Sequence, residues 1–108
     1  MHNKPDLSIK LKLDLATYLR EYIDIQVEDS EPFEQAKDKV VLAALWEIRR
    51  KIGVRMENGF RQEYRVKLSA CQAIALHVLY QWTPPSINQW FHNELRKISD
   101  LVHRHYEL

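Results

Sequence analysis

Residues 68–82 read LSACQAIALHVLYQW, and TPPS follows at 83–86. The first stretch contains no Asp, Glu, Lys or Arg. Its 15 residues fall short of the ~20 that a helix needs to cross a bilayer, and they include the polar Gln72, His77 and Gln81. Pro84 and Pro85 stop a helix because proline has no N–H group and restricts the residue before it. The stretch therefore predicts a buried central helix and no membrane segment.

The apolar spacing continues upstream of this stretch. Residues separated by four and three positions would share one face of a helix; they are Tyr64, Leu68, Cys71, Ala75, Val78 and Trp82. This stripe predicts helix three over 61–82. Within it, Cys71 has apolar neighbours and is predicted to be a small core residue.

Two more helices are predicted on either side of helix three. Ser86 and Gln89 form the Ser-x-x-Gln capping pattern and predict a helix over 86–105. Helical spacing also covers 32–58, where Asn58-Gly59 suits a left-handed C-terminal cap.

The first segment is ambiguous. Residues 7–13 alternate apolar and polar side chains, as a half-buried strand does. Residues 11–25 instead keep helical spacing. We expect the helix and keep an extended segment over 7–13 as the alternative, with 23–27 as the only other alternating run that could pair with it.

Composition favours long helices. The 108 residues include 45% hydrophobic and 29% charged residues, an ordinary globular balance, with only 2 Gly and 4 Pro to form turns. The expected fold is a single all-α domain over 1–108, an antiparallel four-helix bundle or a close variant. No internal repeat is evident. One cysteine and no apolar leader near the N-terminus suggest a cytoplasmic protein.

Catalytic, metal and cofactor motifs are not found in the sequence. The two glycines stand apart and form no phosphate-binding loop, and no serine lies in a Gly-x-Ser-x-Gly elbow. His103 and His105 are two positions apart, so a helix would point them to different sides. We therefore expect no enzyme, no bound metal and no cofactor.

Charge is unevenly distributed although the whole chain carries only +1. Residues 21–34 hold six acidic and no basic residues, a net −6. Residues 49–67 have a net charge of +5, from seven basic and two acidic residues; the basic ones are Arg49, Arg50, Lys51, Arg55, Arg61, Arg65 and Lys67. This basic corner has three interpretations: a solvated face, a patch that contacts nucleic-acid phosphates, or a surface that pairs with the acidic region of a neighbouring copy.

Aromatic residues gather around Pro84-Pro85. This aromatic corner consists of Tyr80, Trp82, Trp90 and Phe91. The simplest interpretation closes the end of the bundle, with Trp82 and Phe91 inward. The alternative leaves Trp90 or Tyr80 exposed as an anchor for a protein partner.

These features predict a binding protein. The first hypothesis is a non-enzymatic module for protein–protein contact or self-association through the aromatic corner, which would form a homo-oligomer. The second is a small nucleic-acid-associated protein that uses the basic corner. The sequence names neither a partner nor a biological process.

Overall fold

Alternating apolar and polar residues produce two strands. The computed structural model describes residues 6–29, 36–59 and 61–107, in which β1 (Leu7–Lys12) pairs antiparallel with β2 (Glu63–Leu68). The register runs from Leu7 opposite Leu68 to Lys12 opposite Glu63. One face of this ribbon lies on the core and carries the buried Ile9, Leu11, Tyr64, Val66 and Leu68. The other face is open to solvent, as is common in antiparallel sheets.

The ribbon corrects the all-α prediction. The described part of the chain is mostly helical, with four helices and a small two-stranded sheet. The extended alternative for 7–13 is confirmed as far as Lys12, but 23–27 is not its partner because that run lies in a helix. The predicted start of helix three at 61 is also wrong. Tyr64 and Leu68 satisfy helical spacing, yet they also alternate with Val66, and the pairing with β1 favours the strand.

Four helices cover the buried face of the ribbon. They are α1 (Leu13–Asp29), α2 (Ala36–Glu57), α3 (Ala70–Trp82) and α4 (Gln89–Tyr106). Helix α2 packs against both α1 and α3, and α3 packs against α4. The largest fully buried helical side chains include Leu19, Leu45, Ile48, Leu76 and Phe91. Burying each such side chain contributes roughly 1.5–3 kcal/mol.

The helix ends differ in detail from those predicted. Helix α2 ends at Glu57, and Gly59 follows with a φ of 130°, which supports the predicted stop at Asn58-Gly59. The predicted start of helix two at 32 lies outside the described residues. Helix α4 begins after Asn88, whose side chain accepts a hydrogen bond from the backbone N–H of Phe91. Ser86 is therefore not the cap, because 85–87 form a turn before the helix.

Helix α3 is capped by Ser69, a residue that the apolar spacing predicted to lie inside a helix over 61–82. Ser69 Oγ accepts the backbone N–H of Gln72, and Gln72 Oε1 accepts the backbone N–H of Ser69. This reciprocal capping box satisfies two N–H groups at the start of the helix. Cys71, predicted to be a core residue, is exposed on the first turn of α3.

The order strand, helix, helix occurs twice. Val66 stands 57 positions after Ile9, and the same offset relates further buried positions: Leu11 to Leu68, Ala16 to Ala73, and Leu19 to Leu76. The repeat was not evident in the sequence because few residues are identical and the connections within the two units differ. The two units meet along the ribbon, where each contributes one strand.

Candidate nucleic-acid interface

The solvent face of the ribbon is strongly basic. We call this surface the ribbon face; its exposed side chains, as cross-strand pairs, are Ser8 with Lys67, Lys10 with Arg65, and Lys12 with Glu63. Four cations and one carboxylate give it a net charge of +3. The alternation that buries Ile9 and Val66 necessarily points these residues outward. The ribbon face is therefore a direct consequence of the hydrophobic pattern.

Two adjacent cavities lie beside the ribbon face. One, of about 640 Å³, lies between α2, β2 and α3; its lining includes Arg50, Lys51, Arg55, Lys67, Val54 and Val66. The other, of about 440 Å³, reaches the ribbon; its lining includes Ser8, Arg55, Arg61, Glu63, Arg65 and Lys67. They share Arg55, Asn58 and Lys67, so together they form one basic cleft that runs from α2 to the ribbon face.

The structure thus brings together six of the seven residues of the basic corner. Arg50, Arg55, Arg61, Arg65 and Lys67 are exposed. Within the described ranges, none of these five forms an ion pair with a carboxylate. Their charges are therefore available to an anionic partner. Of the acidic region, Glu28 is exposed at the end of α1, whereas Glu31 and Glu34 lie outside the described residues.

Lys51 has a fixed position in the cleft. Its ammonium group donates to the carbonyl oxygen of Lys67 at 2.8 Å and to Gln72 Oε1 at 2.7 Å. Gln72 Nε2 in turn donates to Glu47 Oε2 at 2.8 Å. An ammonium group has three donors, so one remains for a ligand. Lys51 mainly positions β2 against α2 and α3.

Arg49 is the residue of the basic corner that lies elsewhere. Its Nε donates to Asp24 Oδ1 at 2.8 Å, and its guanidinium group stacks 5.2 Å from the centre of the Trp46 ring. The ion pair with Asp24 joins α2 to α1. Arg49 lines neither cavity, because adjacent residues of a helix point about 100° apart and Arg50 already faces the cleft.

Sequence reasoning missed four residues of the ribbon face. Ser8, Lys10 and Lys12 belong to β1, which was predicted only as an alternative to a helix. Glu63 was counted only as a carboxylate that lowers the charge of residues 49–67. The signal was present in the regular alternation of polar residues with Leu7, Ile9 and Leu11. Its significance depends on the pairing with Glu63–Leu68, which local spacing does not reveal.

The aromatic corner is split by the structure. Phe91 is fully buried, with its ring centroid 4.4 Å from Tyr18 and 5.0 Å from Tyr22. Trp90 contacts the edge of Tyr18 but remains 39% exposed. Of the other two, Tyr80 packs on His92 at 5.0 Å and Trp82 is half-buried.

In the part of the chain that the structure describes, no group of three His, Cys, Asp or Glu side chains could hold a metal ion. None of the helices there combines the length and the apolar character that a membrane span requires. Comparison of the chain with protein-family models, curated proteins and solved structures finds no match. The ribbon face and the basic cleft are therefore the features of the described residues that bear on function.

Proposed function

We propose that this chain binds double-stranded DNA, with the ribbon face in the major groove and the basic cleft against the phosphate backbone. The observation that carries the proposal is the ribbon face itself. It presents Lys10, Lys12, Arg65 and Lys67 as one solvent-exposed row on a two-stranded ribbon. Of the basic corner predicted from the sequence, Arg65 and Lys67 lie on the ribbon face, and the residues of the basic cleft flank it.

The dimensions of the ribbon suit the groove. Strands about 4.8 Å apart form a ribbon that enters a B-DNA major groove about 12 Å wide and 8.5 Å deep. Each strand has six residues, which extend over roughly 20 Å, about the rise of six base pairs. Two-stranded ribbons are one of the structures that proteins use to contact base edges in this groove.

The distribution of charge supports the same arrangement. The chain has 16 basic and 15 acidic residues, yet half of the basic ones lie on the ribbon face or in the basic cleft: Lys10, Lys12, Arg50, Lys51, Arg55, Arg61, Arg65 and Lys67. Such a concentration attracts a polyanion because binding releases condensed counterions. Arg55 and Arg61 flank the ribbon and are the proposed phosphate contacts.

DNA fits this surface better than duplex RNA. The major groove of A-form RNA is too deep and narrow for side chains to read, so a ribbon would not reach the bases. Single-stranded nucleic acid is usually bound by exposed aromatic side chains on which bases stack, and the ribbon face has none. A cytoplasmic location, favoured by the single free Cys71, belongs to the same proposal.

The experiment is a binding titration followed by fluorescence anisotropy. A labelled duplex of ~20 base pairs at ~50 mM salt is used, where the electrostatic contribution is strong. Arg65→Ala should weaken binding at least about fivefold. Arg96→Ala removes another exposed arginine, from α4 and outside both cavities, and should have no effect. Equal affinities of the two variants, or no binding by the unmodified chain, would reject the proposal.

Self-association through the aromatic corner is the second candidate, with a second copy of this chain as the partner. We propose it because Ile87, in the turn before α4, and Trp90, in the first turn of α4, are 51% and 39% exposed and lie three positions apart. A symmetric pair would cover both with one self-complementary patch. Trp90→Ala should weaken the dimer by more than ~1 kcal/mol in sedimentation equilibrium. A strict monomer at micromolar and higher concentration would exclude it.

A further inference from the structure

The two strand–helix–helix units make the buried side of the ribbon nearly symmetric. Under the offset of 57 positions, Ile9 corresponds to Val66 and Leu11 corresponds to Leu68. Ile9 and Val66 are also paired directly across the ribbon. A local twofold axis therefore passes between them. This axis relates the buried Ile9 and Leu11 of β1 to the buried Val66 and Leu68 of β2.

The exposed side chains of the ribbon face do not follow this twofold symmetry. The axis relates Lys10 to Lys67, which are identical, but it relates Ser8 to Arg65, which are not. One half of the ribbon face therefore presents Lys10 with Arg65, and the other presents Lys67 with Ser8. Beyond the first half, Glu63 lies opposite Lys12 and adds a carboxylate.

These side chains differ in the bases that they recognise. Arginine and lysine donate to O6 and N7 of guanine, and a glutamate accepts from N4 of cytosine. Serine pairs with several bases and discriminates weakly. The half of the ribbon face with Lys10 and Arg65 is thus suited to guanines. Glu63 is suited to a cytosine beside these guanines. In the other half, Ser8 imposes little base preference.

We infer that this chain recognises a non-palindromic DNA site whose stronger half is rich in G·C pairs and is read by Lys10, Arg65 and Glu63. The inference rests on the proposed function. Dimeric proteins with a twofold axis select palindromic sites because each half reads the same bases. Here both halves belong to one chain, so the symmetry of the fold is retained while the base contacts differ.

The test is a selection of bound duplexes from a random pool by the full chain, followed by sequencing. The expected result is one non-palindromic consensus with guanines in one half. A palindromic consensus, or retention without any consensus, overturns this inference and leaves the proposed DNA binding standing. If no duplex is retained, both this inference and the proposed DNA binding are overturned.

A pair of variants tests the symmetry argument directly. Ser8→Arg gives both halves a lysine and an arginine, so its consensus should contain guanines in both halves and should differ between them only at the cytosine read by Glu63. It should also bind a palindrome of the stronger half about 5- to 150-fold more tightly than the unmodified chain does, the value of one bidentate base contact. Arg65→Ser gives both halves a lysine and a serine and should remove the difference in guanine content between them. Both positions are exposed, and an unchanged thermal unfolding curve confirms folding. Guanines confined to one half of the consensus in both variants would overturn the inference.

Discussion

The side chain of Lys51 donates a hydrogen bond of 2.8 Å to the backbone carbonyl oxygen of Lys67. The same ammonium group bonds Gln72, whose side chain closes the capping box with Ser69. One residue of α2 therefore holds the end of β2 and the start of α3 together. This contact fixes the ribbon face relative to the arginines of the basic cleft.

Removal of that contact should destabilise the protein. Lys51→Met keeps much of the apolar stem but leaves the carbonyl oxygen of Lys67 and the side chain of Gln72 without their charged donor. The free energy of unfolding, measured with urea, should fall by about 1–2 kcal/mol. Lys39→Met, at an exposed position of the same helix, is the control and should change it little. Equal losses from both variants would show that the contact does not hold the ribbon.

The start of α4 gives a second prediction. Asn88→Ala removes the oxygen that accepts the N–H of Phe91 at 3.1 Å, and this should cost about 1 kcal/mol. Ser86→Ala should be nearly neutral because Ser86 is exposed in the preceding turn. Urea unfolding of both variants decides between the two caps. A larger loss at Ser86 would place the start of the helix there.

The helices were predictable from local spacing, and the ribbon was not. Leu45, Ile48 and Ile52 repeat at helical intervals and are buried on α2, as expected. The strand Glu63–Leu68 satisfies both periods, and its partner lies more than fifty positions earlier. The spacing of apolar residues within ten or fifteen positions therefore cannot reveal that pairing. Ser86 and Asn88 are both good capping residues, and only the geometry of the turn selects between them.

The candidate site was predictable in part. Counting charges located Arg50, Arg55, Arg61 and Arg65, which the structure gathers along one cleft. Arg49 belonged to the same run but binds Asp24. Lys10 was overlooked because its importance arises only when β1 pairs with β2 and brings it opposite Arg65. A run of charged residues in the sequence therefore indicates that a charged surface exists. The register of the strands determines which residues belong to that surface.

Salt dependence should separate phosphate contacts from base contacts. Arg61 lies beside the ribbon rather than on it, so Arg61→Ala should weaken binding to all duplexes alike. It should also reduce the slope of log K against log salt by about 1. Arg65→Ala should instead relax the base preference. Anisotropy titrations at several salt concentrations measure the slope; an unchanged slope for Arg61→Ala would remove that residue from the interface.

The most direct test of the central claim is a map of amide chemical shifts while a duplex is added to isotopically labelled protein at ~50 mM salt. Binding through the ribbon face predicts the largest shift changes along Leu7–Lys12 and Glu63–Leu68, with smaller changes at Arg55 and Arg61. The chemical shifts of amides near the exposed Trp90 should not change. Shift changes confined to the aromatic corner, or unchanged shifts along both strands while the duplex binds, would contradict DNA binding by the ribbon face.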